Sequence, residues 1–198
     1  RVIQGQSPAS LLQSYDAERG AATDDNIANS TRATDFMTPK SQAARALREA
    51  VLGMASTVPA MRALVNSGRL SVPTWLTNSP LNTADVDVFK GWMLPGAPMD
   101  DAPITMKNGS SAWLLRAMPT GFALLHAGPM SQALRAASTA LHITPTIIGD
   151  DVLDPSGLIT QRFDLQPGTA YLIRPDQHVA ARWRRVTPEA LATALQRA

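Results

Sequence analysis

The chain has 198 residues, 44% of them hydrophobic and 17% charged, with a formal net charge of +2. This length and mixture suit one large globular domain or two small ones, and so small a charge implies no nucleic-acid surface. The absence of cysteine excludes disulfides, thiolate metal sites and thiol redox chemistry, and fits a cytoplasmic protein. No apolar run approaches the roughly 20 residues that span a bilayer, and no charged n-region with an apolar h-region opens the chain, so no signal peptide is expected in it. The first residue is Arg1 rather than Met, so the chain is expected to be processed or, above all, a fragment cut from something longer.

Ser7–Pro8 places an N-cap before a first-position proline, and Leu11, Leu12 and Tyr15 follow at helical spacing. Gly20 is expected to loosen or end this helix. A second helical run, Thr23 to Phe36, is rich in Asp, Asn, Ser and Thr and needs partners to hold it. Ser41 caps a third helix, whose Ala44, Leu47, Val51 and Met54 read as one apolar stripe. Pro59 opens a short fourth helix through Met61, Leu64 and Val65, stopped by Gly68. Residues 1–71 therefore read as a helical segment.

From Val72 to Pro103 prolines recur too often for regular structure. This reads as an extended linker that lies against another surface or joins two domains. Residues 104–198 alternate. Strands are expected at Trp113–Leu115, Phe122–His126, Thr144–Ile148, Ala170–Arg174 and Val179–Arg184. The last two are joined by the turn Pro175–Asp176–Gln177. A helix over Met130–Leu141 turns Ala133, Leu134, Ala137 and Leu141 inward, and Thr187–Pro188 starts a last helix. The fold class is α/β: a helical N-terminal segment, then a domain with a mixed sheet. The order strand, crossover helix, parallel strand, hairpin and closing helix is the thioredoxin-like order.

Chemistry-bearing residues are few. His126, His142 and His178 lack metal-ligand spacing. His126 ends an apolar strand and reads as a core or rim residue, while His178 reads as exposed. Asp100–Asp101 and Asp150–Asp151 lie near turns and read as caps. Ser110–Ser111 sits outside any Gly-x-Ser-x-Gly elbow. Trp75, Trp92, Trp113 and Trp183 read as core or interface residues, and Arg182, Arg184 and Arg185 as a solvated strand end. Ser131 occupies the N-cap position after the His126–Ala127–Gly128–Pro129 turn. That strand–turn–helix platform favours thiolates and oxyanions, yet it carries no acid and no thiol. No catalytic, cofactor-binding or metal residue is assigned. There is no Gly-x-Gly-x-x-Gly.

Three stretches carry a resemblance. "LLQSYDAERGAATDDNIANSTRATDF" (Leu11–Phe36) resembles the segment after the second FAD-contact motif of flavin-dependent (class A) aromatic hydroxylases, the phenol hydroxylase and 3-(3-hydroxyphenyl)propionate hydroxylase type. The family's Leu-Leu-x-Ser-Tyr-x-x-Glu-Arg is matched by Leu11, Leu12, Ser14, Tyr15, Glu18 and Arg19. Gly20 and Ala21 stand where that family often has a second Arg and a nearby Pro. "SPLNTADVD" with "LPGAPMDDAPI" is similar to the linker before its C-terminal domain. "GTAYLIRPDQHVAARW" is similar to the end of that domain, which is thioredoxin-like without its dithiol.

The resemblance implies a parent that uses FAD, NADH or NADPH, and O2 to hydroxylate a phenolic substrate. The FAD fingerprint would lie upstream of Arg1, so no cofactor is expected on residues 1–198 themselves, which would be structural rather than catalytic. Residues 1–71 would belong to the flavoprotein catalytic body. Tyr15, Glu18 and Arg19 would contact the flavin domain of the same chain. A homodimer is a further implied partner, and neither nucleic acid nor membrane is implied. The alternative is a stand-alone thioredoxin-like binding or oligomerisation module without enzyme activity.

Overall fold

The computed structural model describes residues 1–5, 7–65 and 73–198. It divides into two compact units, Arg1–Thr74 and Trp75–Ala198. The expected stop at Gly68 and the expected boundary at residues 71 and 72 lie outside the described residues.

The first unit holds three described helices: α1 (Leu11–Met37), α2 (Gln42–Met54) and α3 (Pro59–Val65). Helix α1 runs without a break through Gly20, where the sequence predicted an interruption. A glycine inside a helix costs only about 1 kcal/mol, less than the surrounding turns supply. The helix also starts later than expected. Pro8, Ala9 and Ser10 accept from the N–H groups of Leu11, Leu12 and Gln13, which makes a tighter lead-in turn. Ser41 caps α2 as predicted, its hydroxyl accepting from the Ala44 N–H at 3.1 Å. The expected stripe on α2 is split. Val51 is buried and Ala44 half-buried, but Leu47 and Met54 are exposed, because Arg48 and Ala55 complete the inward line instead.

The second unit is built on a seven-stranded mixed sheet in the order β2-β1-β5-β4-β3-β6-β7. The strands are β1 (Pro103–Met106), β2 (Ser111–Trp113), β3 (Ala123–Ala127), β4 (Thr144–Ile148), β5 (Val152–Leu153), β6 (Ala170–Ile173) and β7 (Val179–Trp183). Its helices are α4 (Leu114–Ala117), α5 (Gln132–Ala140), α6 (Leu158–Arg162) and α7 (Pro188–Arg197). Strand β4 runs parallel to β3 after α5, β6 runs antiparallel to β3, and β7 antiparallel to β6. The expected order of strand, helix, parallel strand, hairpin and helix is therefore present. Sequence reading missed β1, β5, α4 and α6, each of two to five residues. Such elements are too short to develop a period. Leu114 and Leu115 belong to α4 rather than to the strand expected there.

Alternate residues of β3 and β6 feed two cores. Leu125, Tyr171 and Ile173 pack with Leu114, Ile159 and Phe163 on one face of the sheet. Leu124, Ala170 and Leu172 pack with Leu134, Leu191 and Ala194 on the other. Within α5 the inward line includes buried Ser138, whose hydroxyl donates to the Leu134 carbonyl at 2.9 Å, whereas Ala133 is exposed. The hairpin turn closes with the Gln177 N–H donating to the Arg174 carbonyl, and Gln177 sits at φ 64°.

The proline-rich stretch is part of this unit and lies along β7. Thr83 donates to the Ala180 carbonyl, Gly96 to Val179, and Val179 to Ala97. Met93, Ala97, Met99 and Ala102 are buried in the first core. Gly96 sits at φ 90° against the Leu76 carbonyl, so close that a Cβ would stand 2.3 Å from that oxygen.

Candidate functional site

Two constellations in the second unit merit a functional reading. The first is the turn between β3 and α5. Strand β3 is buried along its whole length, and its end is tied on both sides: Ala127 donates to the Thr169 carbonyl and Gly128 to Ile148. His126 is buried, with Nδ1 2.9 Å from the Gly128 carbonyl oxygen. A carbonyl can only accept, so Nδ1 carries the proton. Ser131 caps α5, its hydroxyl accepting from the Leu134 N–H at 3.2 Å.

These contacts decide what the platform can hold. A phosphate or oxyanion needs several free backbone N–H groups at the helix start. Here the Gly128 N–H is bonded, Pro129 has none, and the Leu134 N–H is taken by Ser131. The sequence has no Gly-x-Gly-x-x-Gly and no cysteine. Without cysteine the turn cannot exchange thiols, and the His126 and Ser131 side chains both have structural partners.

The second constellation centres on β7. Arg182, expected to be solvated, is buried. Its Nε lies 3.0 and 3.1 Å from the two Asp85 carboxylate oxygens, and Nη2 lies 2.6 Å from Oδ2. Arg184 pairs with the Asp164 carboxylate and donates to the Val88 carbonyl at 3.1 and 3.2 Å. Its backbone N–H donates to Asp87 at 2.8 Å. Both guanidinium groups stack on the Phe89 ring, 4.3 and 3.9 Å from its centroid, and Phe89 meets Tyr171 edge-on. Only Arg185 of the three is exposed. The sequence separation of 97 residues between Arg182 and Asp85 hid this pairing. The available signal was the alternation Asp85, Asp87, Phe89 opposite Arg182 and Arg184.

Each guanidinium in this cluster faces a carboxylate. The Lys90 backbone N–H holds the Asp164 carboxyl below its ordinary value against the cost of burial, with help from Arg184. Burial pushes the Tyr171 phenol up to about 12, only partly offset by Arg182. Its hydroxyl donates to the Phe163 carbonyl at 2.6 Å. Every donor in the cluster thus faces a protein acceptor, so its physical role is to fasten the Asp85–Phe89 segment to the sheet.

The remaining candidates separate. Tyr15, Glu18 and Arg19 lie on one side of α1 at steps of three and one, with Tyr15 69% exposed. Asp101 accepts from the Ala102 and Leu115 N–H groups, and Asp151 from Ile147, so both cap turns as predicted. Asp100 accepts from the Trp92 indole at 2.9 Å, and Asp150 pairs with Lys107. The His178 side chain is only 14% exposed and lies 3.5 Å from Asp176, which corrects its expected exposure. Burial works against the Asp176 carboxylate, but His178 and Arg174 outweigh it and lower its pKa. Trp183 is buried as expected, whereas Trp75, Trp92 and Trp113 are exposed. Among the described residues no group of three His, Asp or Glu side chains could hold a metal ion, and no helix is long and apolar enough to cross a membrane.

Known structures match this fold over its whole length. The flavin-dependent monooxygenase PieE, solved with FAD and substrate, superposes on 100% of the chain at 19% identity with a TM-score of 0.72. The fold is shared with part of flavin-dependent monooxygenases. Aklavinone-11 hydroxylase, solved with FAD and aklavinone, matches 99% of the chain at 20% identity and a TM-score of 0.61. OxyS anhydrotetracycline hydroxylase from Streptomyces rimosus matches 99% at 22% identity and 0.59. The chain spans 42%, 36% and 37% of the lengths of these three proteins. No protein-family profile matches the sequence, and no curated protein matches it.

Proposed function

We propose that residues 1–198 are the C-terminal part of an FAD-dependent aromatic-ring monooxygenase. The observation that carries this reading is the match of both units, over 99–100% of the chain, to three flavin hydroxylases of which it spans only 36–42%. The parent would use NADH or NADPH and O2 to hydroxylate a phenolic substrate, and would be cytoplasmic. FAD would be held by an upstream domain, because residues 1–198 carry no Gly-x-Gly-x-x-Gly. Tyr15, Glu18 and Arg19 would meet that domain.

The sheet domain, in this reading, is thioredoxin-like without its dithiol. The order β4-β3-β6-β7, with only β3 and β4 parallel in that group, supports this. Its role would be packing and assembly, including a possible homodimer, rather than catalysis.

The test is the complete reading frame. Expressed whole, the parent should carry a stoichiometric flavin spectrum and oxidise NADH or NADPH faster with a phenol present. Residues 1–198 alone should be colourless and inert. An initiator Met codon directly before Arg1, or a flavin spectrum on residues 1–198 alone, would overturn the reading.

A further inference from the structure

Helix α2 has an inward line and, beside it, an apolar stripe that the fold leaves exposed. Ala44, Arg48, Val51 and Ala55 recur at steps of four, three and four residues and form the inward line. One residue earlier, the same steps give Ala43, Leu47, Ala50 and Met54. All four are apolar and all are exposed, Leu47 by 65% and Met54 by 43%. The third face holds Gln42, Arg45, Glu49 and Leu52. A surface helix presents one apolar stripe somewhat over 100° wide. The inward line and the adjoining apolar stripe together span roughly 200°, the pattern of a helix packed on two sides. The alternation of small and large side chains leaves grooves between ridges, which suits a second helix.

The first unit also lacks a core of its own. Among its described residues the buried apolar side chains are Ala22 and Val51, too few to offset the entropy of ordering three helices.

We propose that the Ala43–Leu47–Ala50–Met54 stripe is the docking face for an apolar helix of the upstream flavin domain. This rests on the reading given under Proposed function. Two observations select that occupant over a second copy of the chain. The matched structures continue well beyond the part this chain spans, so a same-chain partner has the length to exist. The stripe is also too small for a free dimer. It is about 16 Å long and a helix face is about 10 Å wide. That gives on the order of 200 Å² per side, far below the roughly 800 Å² per partner of a stable complex. A tethered segment loses little translational freedom on docking, so a small patch suffices.

Residues 1–198 contain no cysteine, so a single introduced thiol reports on its own surroundings. Leu47→Cys and Leu52→Cys would be alkylated in residues 1–198 and in the complete chain, with labelled peptides identified by mass. Leu52, 48% exposed, lies on the polar face and serves as the control. Leu47→Cys should react at least ~10-fold more slowly in the complete chain than in residues 1–198, and Leu52→Cys at equal rates in both. A complete chain that holds flavin yet labels Leu47→Cys as fast as residues 1–198 do overturns the docking face alone. A complete chain without flavin overturns the parent reading, and with it the named occupant. Dimerisation of residues 1–198 that Leu47→Glu abolishes in sedimentation would assign the stripe to a second copy and overturn the proposal.

Discussion

Asp85→Ala is the sharpest perturbation of the second unit. It removes the carboxylate that faces Nε and Nη2 of Arg182, and leaves that guanidinium with the Gly91 carbonyl at 3.3 Å and the Phe89 ring. Stripping one partner from a buried ion pair costs about 3–5 kcal/mol, because the other charge stays desolvated. The Arg182 side chain is 6% exposed, but that of Asp85 is 29% exposed. Water therefore screens one side of the pair, and about 2 kcal/mol is the appropriate figure. All four tryptophans, Trp75, Trp92, Trp113 and Trp183, lie in the second unit, so tryptophan emission in urea follows that unit alone. With a urea slope of about 1–3 kcal/mol per M, the midpoint should fall by roughly 1 M. Adding Arg182→Met should restore most of it, because a pair replaced by an apolar side chain leaves no stranded charge. A midpoint for Asp85→Ala within about 0.3 M of the unaltered chain would class the pair with exposed ones and refute the clamp. So would a double variant no more stable than Asp85→Ala.

Acid should loosen the same unit. Asp164 and Asp176 have lowered pKa values, so the stability they contribute is whole above the unfolded carboxylate value of about 4. It begins to fail as pH drops through that value and is gone below their folded values. Asp164→Asn and Asp176→Asn should each flatten the pH dependence of the urea midpoint below about pH 5, and an unchanged slope would count against the pairing. In Tyr15→Phe, Tyr171 is the remaining tyrosine. Its phenolate absorbance should stay absent until about pH 12 and appear together with unfolding, since a raised pKa stabilises the fold below the ordinary tyrosine range and fails above it. A phenolate signal near pH 10 in a folded chain would refute this. Ser131→Ala should cost about 1 kcal/mol as a lost cap without changing turnover per folded parent molecule. A rate loss beyond about 100-fold at unchanged stability would mark Ser131 as catalytic.

The legible parts of this fold are those whose cause is local. The caps at Ser41, Ser131 and Thr187 follow from a hydroxyl placed three residues before the N–H it accepts from. Strand β4 falls on its expected residues because its apolar end must be buried on both faces. Gly20 misled because a glycine marks a possible break, and whether the helix breaks there depends on what the neighbouring turns supply. Leu47 and Met54 misled for a related reason. Periodicity says which residues share a helix face, but the partner decides which face is covered, and on α2 the covered face is the one that carries Arg48.

The β7 cluster illustrates what composition hides. Three arginines within four residues read as a solvated run because local sequence offers them no acid. Their acids stand on the proline-rich segment and after α6, and only the closed sheet brings them near. The sequence signal of an extended segment lying on a surface was sound, and that surface is β7. Asp85–Phe89 contains no proline, yet it lies beside β7 outside any strand, and side chains hold it down. Alternation then does what a hydrogen-bond ladder would do elsewhere. Asp85, Asp87 and Phe89 face the strand and reach Arg182, Arg184 or its N–H, while Val86 and Val88 point outward and are exposed. Arg182 and Arg184 are thus covered by the segment they retain, and the charge that looked like a surface feature is the reason the segment belongs to the fold.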